Sequence, residues 1–122
     1  MAAPTLTTGI AHELTYPITT EMCTAHTGVA VLSTPAMIQL MENVCAGSVH
    51  EHLTVGESSV GIHVCVSHVA GSRVGEEVTV RSSLREIAKG RFLTFDVSAH
   101  VGERLLGEGT HQRAVVDLTR GR

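Results

Sequence analysis

The sequence predicts an α+β domain in which one long helix packs against a five-stranded antiparallel sheet. Two periodicities and one length carry that expectation. Between Pro35 and His50 apolar residues recur at helical spacing, with Met37, Leu40, Met41, Val44 and Cys45 on one stripe. After Thr54-Val55-Gly56-Glu57 the pattern switches to the two-residue period of strands. The 122 residues suffice for one core and not two, so a single domain over 1–122 is expected.

In chain order, residues 1–7 read as a loose tail. The run from Gly9 to Thr19 has the mixed apolar and β-branched character of a first strand, and Pro17 marks it as an edge or an end. Thr20 to Ser33 is a connector ending in the apolar run Val29-Ala30-Val31-Leu32. The helix follows, from about Pro35 to His50. Pro35 suits the first helical position, where its missing N–H has no partner to lose. Thr34 then falls at the N-cap. Gly47 is expected to weaken or end the helix.

Four strands follow. Val60, Ile62, Val64 and Val66 are expected to share the face that presses on the helix, with His68 at the end of that row. A second run spans Glu76 to Lys89, and the parity change before Ile87 predicts a bulge. Lys89-Gly90 is a hairpin signal. The third run places Leu93, Phe95, Val97, Ala99 and Val101 inward, with Thr94, Asp96, Ser98 and His100 outward. The last strand runs from about Leu105 to Leu118, and its Gly107 and Gly109 indicate close approach of a ligand or another backbone.

Composition narrows the function classes. The chain is 43% hydrophobic but has no Trp, one Tyr and two Phe, so its core is aliphatic and base-stacking recognition of nucleic acid is not expected. No apolar run approaches the roughly 20 residues of a membrane span. The N-terminus lacks a signal-peptide pattern, and a cytoplasmic protein is the expectation. Cys23, Cys45 and Cys65 are odd in number and lack metal-ligand spacing, which favours reduced, buried or semi-buried thiols. All nine Lys and Arg lie at or after Arg73. That asymmetry fits a solvated sheet face, or else a surface for a polyanionic ligand. His50-Glu51-His52 places two histidines only two apart, pointing away from each other on a helix, so no metal site is expected.

Glu42 does not fit a plain core helix, because it lies at the margin of the apolar stripe. Taken singly, Thr34 is an N-cap, Glu42 a rim carboxylate, His68 a hydrogen-bonded core histidine and Arg113 a surface or ion-pair residue. Three of these residue types also have acid–base or electrostatic chemistry of their own. Partial desolvation makes a carboxylate more basic, so Glu42 suits proton abstraction from water or direct nucleophilic attack. His68 could shuttle the proton. The Thr34 hydroxyl sits at the positive end of the helix, a suitable place for a developing oxyanion.

The element order, a sheet wrapped round one helix, resembles a hotdog fold. Three segments narrow it further: Ser33-Thr34-Pro35 with Glu42 eight residues after the threonine; Gly61 with His68-Val69-Ala70; and Gly107-Glu108-Gly109-Thr110-His111-Gln112-Arg113. Together they resemble the fluoroacetyl-CoA thioesterase family, over about Tyr16 to Asp117. The resemblance implies catalytic roles for Thr34, Glu42 and His68 and places Gly61 and Arg113 near the acyl group. It implies hydrolysis of a small or short-chain acyl-CoA, coenzyme A entering as part of the substrate and not as a separate cofactor. It also implies a homodimer with sites at the interface, with further pairing into a dimer of dimers left open. His111 falls in the third segment and is expected to line the site. The sequence departs from the fluoroacetyl-specific pattern in one place. The seven residues between His26 and Thr34 contain no aromatic, where that type carries an aromatic-rich lid.

One spacing bears on the assembly. Eight helical residues separate Thr34 from Glu42 by roughly 12 Å along the axis. The pair therefore meets in one site only if the chain folds back before Pro35 or a second subunit supplies one member, and the composite site is favoured. The rival to an enzyme is a non-catalytic acyl-CoA or small-acid binding module.

Overall fold

The structure is a computed structural model that describes residues 5–26 and 28–120. Its strands are β1 (Ala11–Pro17), β2 (Cys23–Thr24), β3 (Val31–Leu32), β4 (Glu57–His68), β5 (Glu77–Ala88), β6 (Phe92–Val101) and β7 (Arg104–Asp117), and its helix is α1 (Thr34–His50). The main sheet is antiparallel in the order β1-β5-β6-β7-β4. Hairpins make β5, β6 and β7 neighbours, as expected of consecutive strands. The expectation fails for β4, which crosses to the far edge and pairs with β7.

Helix α1 lies across the inner face of this sheet. Met37, Leu40, Met41, Val44, Cys45 and Val49 are buried against Val78, Val80, Leu84, Leu93, Phe95, Val97, Ala99, Leu106 and Val115. Each such aliphatic side chain contributes roughly 1.5–3 kcal/mol through the water it releases. A 17-residue helix with one apolar stripe is held by this packing, and Gly47 is accommodated without ending it. Lys89 (φ 56°) and Gly90 (φ 69°) are both left-handed, the conformation a hairpin turn between right-twisted strands favours, and the Arg91 amide closes the turn by donating to Ala88 O at 3.1 Å. The bulge before Ile87 is present between Leu84 and Glu86.

Four other expectations change. The N-cap is Ser33, whose Oγ accepts from the Ala36 amide at 3.2 Å, so Thr34 is the first helical residue. Part of the connector forms the β2–β3 pair, tethered by the Leu32 amide donating to the Ser72 carbonyl at 2.9 Å. Leu6, placed by sequence in a loose tail, is buried in the core, and Thr5 shares a 2.8 Å hydrogen bond with His52; residues 1–4 lie outside the described residues. The third cysteine is not semi-buried: Cys45 is buried and Cys23 half-buried, but Cys65 is exposed, and all three are free.

Three of the late basic residues form exposed ion pairs. Arg81 pairs with Glu13 at 2.8 Å, Arg104 with Glu76 at 3.0 Å and Arg85 with Asp96 at 3.6 Å. No helix of the described residues is long and apolar enough to cross a membrane.

Candidate active site

The geometry of the site depends on a bulge in β4. Between Gly61 and His63 the register against β7 shifts, with Gly61 opposite Arg113 and His63 opposite Gln112. Ile62 is therefore the extra residue, and side-chain parity reverses across it. Ser59 and Gly61 before the bulge share the helix-facing side with Val64, Val66 and His68 after it. The expected row of four valine and isoleucine side chains pressed on α1 does not form. Val60, Ile62 and Val64 are 44%, 51% and 37% exposed. The two functional candidates on β4, Gly61 and His68, are brought onto one face.

At one end of that face Thr34 Oγ1 and His68 Nδ1 share a 2.8 Å hydrogen bond. Local chemistry makes this possible. Because Ser33 takes the capping role, the Thr34 hydroxyl is not spent on the helix terminus. The Ser33 amide donates to Met22 O at 2.9 Å, and Val69 N donates to Leu106 O, so both approaches to the pair are anchored. His68 Nε2 is buried and has no hydrogen-bond partner among the described residues. A buried imidazole nitrogen without a partner is costly in a purely structural histidine and ordinary in one awaiting a ligand or another subunit.

Further along α1, Glu42 meets Gly61, His111 and Arg113. A Cβ placed on Gly61 would lie 3.2 Å from Glu42 Oε2, 3.2 Å from His111 Cε1 and 3.4 Å from Arg113 Nη1. The missing side chain thus leaves a small cup rimmed by a carboxylate, an imidazole and a guanidinium. Arg113 is 7% exposed and rigidly held. Its Nε donates to Ser59 Oγ at 2.8 Å, its Nη2 to Ser59 O at 2.9 Å and its Nη1 to His111 Nε2 at 3.1 Å. Burial pulls the Arg113 pKa below its usual value, and the nearby Glu42 carboxylate opposes that shift. Burial likewise depresses His111 below the ordinary histidine range, partly offset by its bond to the His63 carbonyl. Cys45, on the same helical stripe, is pushed up to about 12, first by burial, which makes it a neutral thiol and a poor nucleophile.

The two clusters stay apart within one chain. Gly61 and His68 lie opposite Arg113 and Gly107, six residues apart on β7, which is roughly 20 Å at about 3.3 Å per residue. The single chain therefore brings Thr34 to His68, and brings Glu42 to Gly61 and Arg113, as two separate clusters. Sequence reasoning gave no role to Ser59 and only a lining position to His111. The signal was available for His111, because residues two apart on a strand share a face with Arg113.

Comparison with known proteins places the chain in a family. A family model described as fluoroacetyl-CoA-specific thioesterase matches residues 18–119. The fluoroacetyl-CoA thioesterase of Streptantibioticus cattleyicolor is 43% identical over 88 residues, which are 72% of this chain. This chain belongs to the fluoroacetyl-CoA-specific thioesterase family. The match spans 63% of the length of that curated relative. A variant of the family's fluoroacetyl-CoA-specific thioesterase FlK, solved with fluoroacetate and CoA, superposes with a TM-score of 0.87 at 32% identity, covering 96% of this chain and all (100%) of that one. A hot-dog-like protein from Thermanaerovibrio acidaminovorans, at 18% identity, shares the fold with a TM-score of 0.84 over 97% of this chain and 87% of its own. The hotdog architecture read from the element order is therefore the observed one.

Within that family frame, Gly107 and Gly109 fulfil the expectation of close approach. A Cβ on Gly107 would sit 2.6 Å from Ser67 O and 2.7 Å from Met37 Sδ, and one on Gly109 would collide with the Cys65 carbonyl. Both glycines let β7 lie flush under β4 and α1. The segment before the helix is the short β2–β3 pair, with no aromatic residue from Thr24 to Leu32.

Proposed function

We propose that this protein hydrolyses the thioester of a small or short-chain acyl-CoA, using Thr34, His68 and Glu42, with Gly61 and Arg113 receiving the acyl group. The observation that carries the proposal is the joint placement of the Thr34–His68 bond and the Glu42–Gly61–Arg113 cup on one face of β4. In this reading Glu42 either takes a proton from the water that attacks the acyl carbonyl, or attacks it directly to form a mixed anhydride that a water then hydrolyses, freeing the acid and regenerating the carboxylate. The carbon–sulfur bond breaks, and His68, steered by Thr34, returns a proton to the departing CoA thiolate. The Arg113 cation and the first amides of α1 stabilise negative charge as it develops. With no aromatic lid over the cup, the acyl group is small without being restricted to fluoroacetyl.

The two clusters are half-sites joined in a homodimer. Strand β4 is a twelve-residue sheet edge carrying exposed Val60 and Ile62, an arrangement that invites strand pairing. Antiparallel pairing of β4 with its copy, about a two-fold near Val64 and Cys65, opposes His68 of one subunit to Gly61 of the other. Each complete site then takes Thr34 and His68 from one chain and Glu42, Gly61 and Arg113 from its partner. The unpaired thiols suit a reducing cytoplasm.

Release of free thiol from a panel of short, branched, aromatic and halogenated acyl-CoAs tests the activity. Glu42→Gln and His68→Ala each remove most of it. Mixing the two inactive variants after reversible dissociation restores roughly a quarter of wild-type activity, because half the dimers are mixed and each has one intact site. No restoration would place the whole site in one chain. Acyl-CoA binding without thiol release would make the protein a binding module instead.

A further inference from the structure

His111 carries the structure furthest beyond the residues already assigned. It sits at the centre of β7, between Phe95 of β6 and Val64 of β4, and is 1% exposed. A buried polar side chain in so aliphatic a core needs a reason, and both ring nitrogens supply one. Nδ1 lies 2.8 Å from His63 O, and a carbonyl only accepts, so Nδ1 carries the proton. Nε2 is then the acceptor, and it takes the Nη1–H of Arg113 at 3.1 Å. The Phe95 ring stacks on the imidazole at 6.4 Å between centroids and 25° between planes, which fixes its orientation.

These contacts form a chain of dependence. The His63 carbonyl belongs to the residue just after the Ile62 bulge, the irregularity that turns Gly61 toward the helix. Arg113 is held on its other side by two bonds to Ser59 of the same strand. His111 is thus the strut between the bulge and the guanidinium, and its Cε1 forms one wall of the Gly61 cup.

We infer that His111 is a positioning residue that, as a neutral Nδ1–H imidazole, fixes the Arg113 guanidinium against the acyl group. The inference rests on the reading of Gly61 and Arg113 as the acyl-binding end of a thioesterase site. A proton on Nε2 would turn the acceptor into a donor and set two cations side by side. The groups that face His111 act in both directions: Arg113 on its own strand and His63 on β4 disfavour that proton, while Glu42 on α1 favours it and the Phe95 ring on β6 adds no charge. Burial disfavours it most, so the loss of acyl binding falls on the acid side of the ordinary histidine range.

Two substitutions separate positioning from packing. In His111→Asn the amide nitrogen takes the place of Nδ1 and keeps the bond to His63, but no acceptor reaches Arg113. In His111→Gln an amide oxygen takes the place of Nε2 and accepts from Arg113 without titrating. At pH 8, His111→Asn raises KM for the best acyl-CoA roughly tenfold or more, with kcat changed less than about threefold. His111→Gln stays near the wild-type KM and loses the rise in KM that the wild type shows toward acid pH. An unchanged KM in His111→Asn, or equal losses in both variants that follow their melting temperatures, overturns the inference while leaving the thioesterase reading intact. No turnover by the unsubstituted protein on any ester of the panel overturns both.

Discussion

Ser33 and Thr34 are adjacent hydroxyl residues at the start of α1, and the structure gives them opposite duties. Ser33→Ala removes the acceptor for the Ala36 amide, a bond of 3.2 Å. Loss of a serine N-cap costs about 1 kcal/mol. Unfolding entropy near 2.1 cal/mol/K per residue makes that a fall of about 4 °C in melting temperature for 122 residues. Turnover in Ser33→Ala should stay within about twofold of wild type, since Thr34 and His68 are untouched. Thr34→Val keeps the branched side chain at an exposed first-turn position and deletes only the hydroxyl bonded to His68 Nδ1 at 2.8 Å. Its stability cost is about 0.5 kcal/mol, or roughly 2 °C. Its kcat falls on the order of a hundredfold, the usual effect of losing a positioned polar group at a reacting centre. Calorimetry at fixed protein concentration and a free-thiol assay on the same preparations make the comparison. If Ser33→Ala loses activity as heavily as Thr34→Val, or Thr34→Val keeps more than half its turnover, the division of labour is wrong.

Two further outcomes follow from the strand that carries half the site. Ile62→Lys places a charge on the exposed bulge of β4; it should shift the protein to a monomer in sedimentation and lower thiol release in proportion, and an intact, active dimer would exclude β4 as the interface. Gly107→Ala puts a methyl group 2.6 Å from Ser67 O, where backbone must yield, and 2.7 Å from Met37 Sδ, where a flexible side chain can. A loss of about 1–3 kcal/mol in denaturant unfolding is expected, together with reduced activity, because Gly107 pairs with His68. Unchanged stability would mean that β7 and β4 are less closely joined there than the structure shows.

The sequence by itself determined the helix, the long strands and much of what they bury. Met37, Leu40, Met41, Val44 and Cys45 declared α1, and the alternation from Leu93 to Ala99 declared β6 and its inner face, because helix and strand periods are local properties of a few turns or residues. Thr34, Glu42, Gly61, His68 and Arg113 were legible as one set only through the resemblance of three segments to a known family, and the structure places them in two clusters on the inner side of β4. Tertiary structure decided the rest. The Ile62 bulge reverses parity in a run whose sequence alternates without a flaw, since a bulge is set by the partner strand's register and not by the residues that form it. The same long-range pairing sends β4 to the sheet edge, where three aliphatic side chains that look like core are exposed. Which of two neighbouring hydroxyls caps α1 depends on where the β2–β3 pair and the Ser72 carbonyl hold the backbone, and that frees Thr34 for His68. His111 shows the difference most plainly: its place on the Arg113 face follows from counting by two, but its tautomer and its duty exist only because the bulge delivers a carbonyl to one nitrogen and β7 delivers a guanidinium to the other.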